Sequence, residues 1–260
     1  MTKIHPTALV DSDSKLGEGV EIGAFAVVSA GVVLGDGCRV LGHAQILPGV
    51  ALGGDCEVGH GAVIGGDPQD LKFDRETISG VEIGAGTVFR EHVTVHRGSR
   101  EGSMTRIGEG NFLMAGAHVG HDVQMGDHNV MANNCLLGGE VQVGSQNFFG
   151  GGSAFHQFVR VGDLAMVKGL TAISQDVPPF VMVSGSNQVR GLNVVGMTRA
   201  GFERDQRVGV KAAFNHIYRG GMNLSQALAA AQHMEWGREA GHFIEFFQDE
   251  SKKGVCRLGA

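Results

Sequence analysis

Starting at Ile4, every sixth residue is aliphatic through Ile64, with Val10, Leu16, Ile22, Val28, Leu34, Val40, Ile46, Leu52 and Val58 between them. About a quarter of residues in an average protein are Ile, Val, Leu or Met, so an unbroken run of this length has chance odds of roughly one in several million and marks a true repeat. The phase breaks across Gly65 to Phe73 and resumes one residue out of step at Ile83, Phe89 and Val95. A polar stretch from His96 to Arg106 follows, and the period then runs from Ile107 through Leu113, Val119 and Met125 to Ile173. Six residues make one short strand and one corner. Three such sides close a triangular coil of eighteen residues, and each coil hydrogen-bonds to the next at ~4.8 Å. The pattern therefore predicts an all-β fold class, a single-stranded parallel β-helix of about nine coils and roughly 40 Å in height.

Two further positions of the hexad support this reading. The residue after the aliphatic is often glycine, as at Gly17, Gly23, Gly35, Gly120 and Gly162, where corner conformations exclude most side chains. The residue four after it is usually small or β-branched, as at Val20, Ala26, Cys38, Ala44, Cys56 and Ala62. Cys38, Cys56 and Cys135 share this interior slot and read as core filler rather than as disulfide partners or metal ligands.

The period stops at Val177-Pro178-Pro179, and the pattern turns helical from about Gly191. The predicted division is a β-helix over 1–187, with loop insertions near 65–80 and 96–106, and a helical C-terminal domain over 188–260. Val210, Phe214, Ile217 and Tyr218 follow helical spacing up to Gly220-Gly221. Asn223 with Gln226 three residues on reads as a capped start of a helix through Met234, and Phe243, Phe246 and Phe247 mark a last helix. This tail is too small for an independent core and is expected to cover the open end of the prism.

Composition narrows the function. Glycine supplies 43 of 260 residues, more than twice the usual ~7%, without the Gly-X-Y period of collagen. A net charge of −6 argues against a nucleic-acid partner. No apolar run is long enough for a membrane span, the first residues lack the apolar core of a signal peptide, and no Cys-x-x-Cys pair occurs, so the expected location is cytoplasmic.

The polar residues can be placed by phase. His96 and His156 each follow an aliphatic position, and His118 precedes one, so all three are expected to project outward from the prism. His121 falls two after Val119, at a corner. Val119 and Phe155 are two coils apart on one edge, ~10 Å, so His121 and His156 of one chain cannot share a metal ion. They suit the walls of a groove completed by a neighbouring prism. His121-Asp122 is the best candidate base, an imidazole beside a carboxylate that can orient it. No nucleophile elbow, phosphate loop or dinucleotide fingerprint is present, which favours direct attack by a substrate hydroxyl over a covalent enzyme intermediate.

Six segments occur in order: Asp67-Pro68-Gln69-Asp70-Leu71-Lys72-Phe73, Val95-His96-Arg97-Gly98, His118-Val119-Gly120-His121-Asp122, Ala132-Asn133-Asn134, Phe155-His156-Gln157-Phe158 and Gln175-Asp176-Val177-Pro178-Pro179. Together they resemble the acyl-carrier-protein-dependent UDP-N-acetylglucosamine O-acyltransferases, which open lipid A synthesis, and the likeness covers essentially the full chain. The resemblance implies a homotrimer of left-handed β-helices with sites between subunits, and acyl carrier protein and UDP-N-acetylglucosamine as partners. No cofactor or metal is implied.

By the same resemblance, His121 would take the proton from the sugar 3-hydroxyl as it attacks an acyl thioester, with Asp122 orienting the ring. The backbone N–H of Gly139 would stabilise the oxyanion, an effect worth ~3–4 kcal/mol. Asp70 and Lys72 match positions near the glucosamine ring. His96, His118, Glu140, His156 and Gln157 match substrate-contacting positions, Asn193 and Arg199 approach the uridine diphosphate, and Met166 and Gly169 limit the acyl chain.

Two residues depart from the family pattern. Glu140 stands where many members carry His, and a carboxylate ~5 Å from His121 would favour its protonated form and move the pH optimum upward. Ala200 replaces a basic residue beside Arg199. Lys168, Arg199, Arg204, Arg207 and Lys211 form a candidate basic docking patch for the acidic carrier protein. The competing readings are a sibling enzyme using a 3-amino sugar or a coenzyme A donor, a zinc hydrase with His from two chains, and a non-catalytic β-helix scaffold.

Overall fold

The computed structural model describes residues 1–259 and turns the six-residue period into strands of mostly two residues. Successive strands fall on three parallel sheets in rotation, which build the faces of a prism. Partners across coils are eighteen residues apart, as in Ile4 with Ile22, Val10 with Val28 and Leu16 with Leu34. The aliphatic of each hexad is the second strand residue and points inward. From Ile22 onward it is buried in every coil.

The first excursion explains the phase slip. Val58 pairs with Phe89 and Ile64 with Val95, thirteen residues beyond one coil, which is two hexads plus one. The second excursion adds one whole hexad, so Val95 pairs with Val119 and the phase survives. Both loops emerge on the same part of the prism, since residues 67–79 and 97–103 flank consecutive strands of two adjoining sheets.

The interior slot changes character along one edge. Going up the coils, Val20, Cys38, Cys56, Thr87, Asn111, Asn129, Asn147 and Ala165 occupy equivalent positions, and all are buried. The three asparagines form a ladder. Asn129 donates its backbone N–H (2.8 Å) and side-chain amide (3.0 Å) to Asn111 Oδ1, and Asn147 repeats both bonds to Asn129 Oδ1 at 2.9 Å. The amides of Asn111 and Asn129 also satisfy corner carbonyls, Gly126 and Gly144 in the case of Asn129. A polar column is thus stable inside the core because its groups are mutually paired.

Several expectations need correction at the C-terminal end. The parallel coil continues past Pro179 through Val181–Ser184, which then pairs antiparallel with Gln188–Leu192. A division at 187/188 therefore cuts a hairpin at its turn. Arg257–Leu258 adds to that hairpin, so strands, not helices, finish this edge. The helices are α1 (Val194–Arg199), α2 (Arg204–Arg219), α3 (Leu224–Ala231) and α4 (Arg238–Glu245). The reciprocal cap of Asn223 and Gln226 is formed, but α3 stops at Ala231, where His233 and Met234 bond back to Ala230 and Ala231 in tighter turns.

An aromatic cluster of Phe214, Tyr218, Phe243 and Phe247 holds α2 against α4. Arg160 joins this tail to the prism. Its guanidinium bonds buried Asp176 (2.9 Å) and Asp249 (3.1 Å) and lies over the Phe246 ring.

A second tie has a pH signature. His242 Nε2 on α4 lies 2.8 Å from Asp163 Oδ2 at a prism corner, and that hydrogen bond raises the His242 pKa against a smaller opposing effect of burial. A pKa raised by folding adds stability below ~6.5, and the stability is lost as pH rises through the folded value. The pair is half exposed, so the effect is expected at or below ~1 kcal/mol. Melting curves at pH 6 and pH 8 should separate more for the parent than for His242→Gln. Equal separations would remove the tie.

Candidate active site

The corner after strand His118–Val119 presents Gly120, His121 and Asp122. Asp122 takes a left-handed conformation with φ 59°, which a short polar side chain tolerates, and its backbone N–H donates to Thr105 Oγ1 at 2.8 Å. Asp122 Oδ2 lies 2.8 Å from His121 Nδ1 and accepts from the Ser99 N–H (3.0 Å) and hydroxyl (2.6 Å). Burial works to raise the Asp122 pKa, but the donors of Ser103, Ser99 and His121 outweigh it and hold the carboxyl at about 2. An ionised Asp122 can only accept, so His121 carries its proton on Nδ1 and leaves Nε2 as a free base.

Nε2 faces the coil above. A Cβ built on Gly139 would fall 2.4 Å from it, so any side chain at 139 would strike the ring. Among the described residues, the Gly139 N–H has no hydrogen-bond acceptor. A free base and a free backbone donor thus share one small groove of about 250 Å³, which His96, His118, Gln157 and Gln69 also line.

Two of the histidines are not the solvated side chains that alternation suggests. His96 leaves the prism outward but is only 8% exposed, packed edge-on against His118 with ring centroids 4.6 Å apart. Burial, then the neighbouring His118 and His121, lowers the His96 pKa to about 4. Burial also lowers that of His118, whose Nδ1 lies 2.8 Å from Thr94 Oγ1. Both rings are therefore neutral at pH 7 and suit uncharged hydroxyl and amide groups.

The other proposed positions divide. Met166, Asn193 and Arg199 line a separate, more apolar cleft of about 870 Å³ with Phe148, Met182 and Val194. It shares no residue with the His121 groove and opens on a different sheet. Asn193 caps α1, accepting from the Gly196 N–H (2.9 Å) and donating to the Leu164 carbonyl (2.8 Å), so its amide is already engaged. His156 is exposed, and Gly169 is a corner whose Cβ would meet the Gly151 carbonyl at 3.0 Å. Asp70 and Lys72 lie exposed in the first loop, where the Lys72 N–H bonds Asp70 Oδ1 at 2.9 Å. Glu140 is turned to Arg100, whose Nη1 is 2.8 Å from its carboxylate.

Gln69, Ser99, Ser103 and Arg100 belong to the site without having been singled out from the sequence. Arg97 is the other omission, and it organises the first loop. It pairs with Asp67 (3.0 Å), donates to the Thr77 and Arg75 carbonyls and stacks on Phe73. The Arg97→Ala variant should loosen this loop, raising tryptic cleavage after Lys72 and Arg75 by at least ~tenfold, since loss of these bonds favours local opening. An unchanged cleavage rate would show that the loop holds itself.

Comparison with known proteins fits this geometry. Residues 13–46 and 104–139 match the bacterial transferase hexapeptide family, and residues 176–256 match domain 2 of UDP-N-acetylglucosamine O-acyltransferase. The acyl-(acyl-carrier-protein)–UDP-N-acetylglucosamine O-acyltransferase of Paraburkholderia phymatum is 39% identical over 99% of this chain and 100% of its own. The chain belongs to this O-acyltransferase family. The Myxococcus xanthus enzyme of the same name is 42% identical over 99% and 100% of the two chains. Among solved structures, LpxA from Acinetobacter baumannii superposes with a TM-score of 0.92 at 32% identity, covering 98% of this chain and 99% of that one. The UDP-N-acetylglucosamine acyltransferase of Bacteroides fragilis gives 0.93 at 34%, over 98% and 100%. The O-acyltransferase fold here is accordingly a left-handed parallel β-helix with a small helical C-terminal part. No helix among the described residues is long and apolar enough to cross a membrane.

Proposed function

We propose that this chain transfers an acyl group from acyl carrier protein to the 3-hydroxyl of UDP-N-acetylglucosamine, the first step of lipid A synthesis. The observation that carries the mechanism is the His121–Asp122 pair at 2.8 Å, with His121 Nε2 against Gly139. His121 Nε2 accepts the hydroxyl proton while the oxygen attacks the thioester carbonyl. The Gly139 N–H meets the oxyanion, the carbon–sulfur bond breaks, and the imidazolium returns the proton to the departing thiolate. Neutral His96 and His118, with Gln157, contact the sugar hydroxyls and the acetamido group.

The separation of the two clefts supports a site shared between copies. The His121 groove needs an apolar wall for the acyl chain and a partner for the nucleotide, while the Met166 cleft with Arg199 lies elsewhere on its own chain. Packing three prisms side by side sets one kind of cleft against the other, and a homotrimer is the assembly proposed. Lys168, Arg199, Arg204 and Lys211 are exposed and remain the docking patch for the carrier protein, whereas Arg207 donates to the Phe202 carbonyl.

The test is transfer from a panel of 3-hydroxyacyl carrier proteins to UDP-N-acetylglucosamine, with coenzyme A thioesters and the 3-amino sugar nucleotide run in parallel. Turnover with the carrier protein and the 3-hydroxyl sugar is the expected result. Turnover only with the amino sugar or only with coenzyme A would move the chain to a sibling activity, and none with any pair would leave a scaffold.

A further inference from the structure

The corner column that carries Asp122 also carries Glu140, one coil above, in the same left-handed conformation with φ 58°. Between them lies Arg100, from the second loop. Its Nη1 is 2.8 Å from Glu140 Oε1, and its Nη2 is 3.9 Å from Asp122 Oδ1. Asp122 Oδ1 is buried and takes no bond from Ser99 or His121, whose donors all go to Oδ2. An arginine one ångström closer would bond that oxygen directly. The Arg100 side chain is 62% exposed, so packing does not prevent the move, and Glu140 is the group that restrains it.

We propose that Glu140 is a positioning residue that acts through Arg100, parking the guanidinium so that the charge of Asp122 remains committed to His121. This rests on the role of His121 as base stated above. A guanidinium bonded to Asp122 would share its negative charge and weaken the His121 Nδ1 bond, which orients the ring and supports the imidazolium formed in the reaction. Glu140 holds the cation near enough to cover the pair and far enough to leave it intact. The other charged or titratable groups facing the pair are His118 and His96, from the two neighbouring strands of the same sheet.

The test is a double-mutant cycle with Glu140→Met and Arg100→Ala, read in two ways. In spectra of protein carrying ¹⁵N-labelled histidine, the Nδ1–H resonance of His121 reports its bond to Asp122 without substrate. It should move upfield in Glu140→Met and return toward the parent position in the double variant. In steady-state transfer, Glu140→Met should lower kcat by about tenfold with both KM values within twofold, and removal of Arg100 should recover most of that loss, a coupling typical of residues in one network. If the Met substitution has the same effect with and without Arg100 on both readouts, Glu140 does not act through Arg100 and the proposal fails. A rise in acceptor KM that Arg100→Ala leaves uncorrected would make Glu140 a substrate contact and likewise overturn it. Coupled resonances in a protein with no transfer activity would keep the Arg100 clasp and reject the proposed reaction instead.

Discussion

The His121→Ala variant is expected to lose 10²- to 10⁴-fold in kcat, the range in which a general base contributes, with little change in either KM. The groove has no substitute for it. His96, held at about 4, is too weak a base, and His118 turns its Nδ1 to Thr94. Asp122, held at about 2, is weaker still and is enclosed by Ser99 and Ser103. Without Nε2 the sugar hydroxyl would have to attack while still protonated. The Asp122→Asn variant should fall by a comparable factor for a different reason, because an amide can donate to Nδ1 and so places the ring proton on Nε2, where it blocks the reaction. His121 side-chain truncation touches no backbone hydrogen bond, since the corner is held through the Glu140 N–H to the His121 carbonyl at 2.8 Å. Circular dichroism and melting should therefore match the parent. A fall smaller than tenfold in His121→Ala, with the fold intact, would mean that another group or the solvent removes the proton.

The fold was legible because its repeat is shorter than any competing pattern. Residues such as Val28, Leu34 and Val40 must all point into one narrow core, and only two positions in six do so, the aliphatic and the smaller slot of Ala26 and Val32. The hairpin of Val181–Ser184 with Gln188–Leu192 was not legible, because its second strand runs antiparallel and obeys no six-residue period. The site was half legible. His121 and Asp122 are adjacent in sequence, so their pairing needs one corner and nothing else. Ser99, Arg100 and Arg97 lie in or beside loops without any period, and their partners Asp122, Glu140 and Asp67 are 23 to 40 residues away. Alternation along a strand gave the direction of His96 correctly. It could not show the ring packed against His118, because that contact depends on the neighbouring coil and on the loop above it. The separation of Met166 and Arg199 from His121 follows from counting sides of the prism, and it is the reason one chain holds two incomplete clefts.

The largest effect on stability is expected at Asn129. The hexad reading assigns its slot to small or β-branched residues, and Ala165 fills the same slot two coils above, so alanine is sterically acceptable there. The hydrogen bonds decide otherwise. In the Asn129→Ala variant, the Asn147 N–H and amide both lose Oδ1 as acceptor, and the Gly144 carbonyl loses its donor. Asn111 Oδ1 keeps only the backbone N–H of residue 129. Asn111 and Asn147 are buried, so water cannot replace their missing partners, whereas the Gly144 corner is partly exposed. Each buried group costs ~1–3 kcal/mol when left unpaired, and a total loss of about 3–5 kcal/mol follows from the two Asn147 donors and the weakened Asn111 acceptor. Asn129→Thr should lose less, because Thr87 in the same column already donates its hydroxyl to the Gly108 carbonyl at 3.0 Å, and a threonine at 129 can reach the equivalent carbonyl. Ala165 escapes the penalty because it is the top of the ladder, receiving Asn147 Oδ1 on its N–H at 2.7 Å and passing nothing on. Denaturant unfolding at fixed protein concentration measures the difference, and both variants falling within ~1 kcal/mol of the parent would show that the coil relaxes around the gap. If the ordering holds, the asparagines are what let the prism carry polar residues through the coils that support His121, at a level where an aliphatic column would have served the core but left the corner carbonyls without donors.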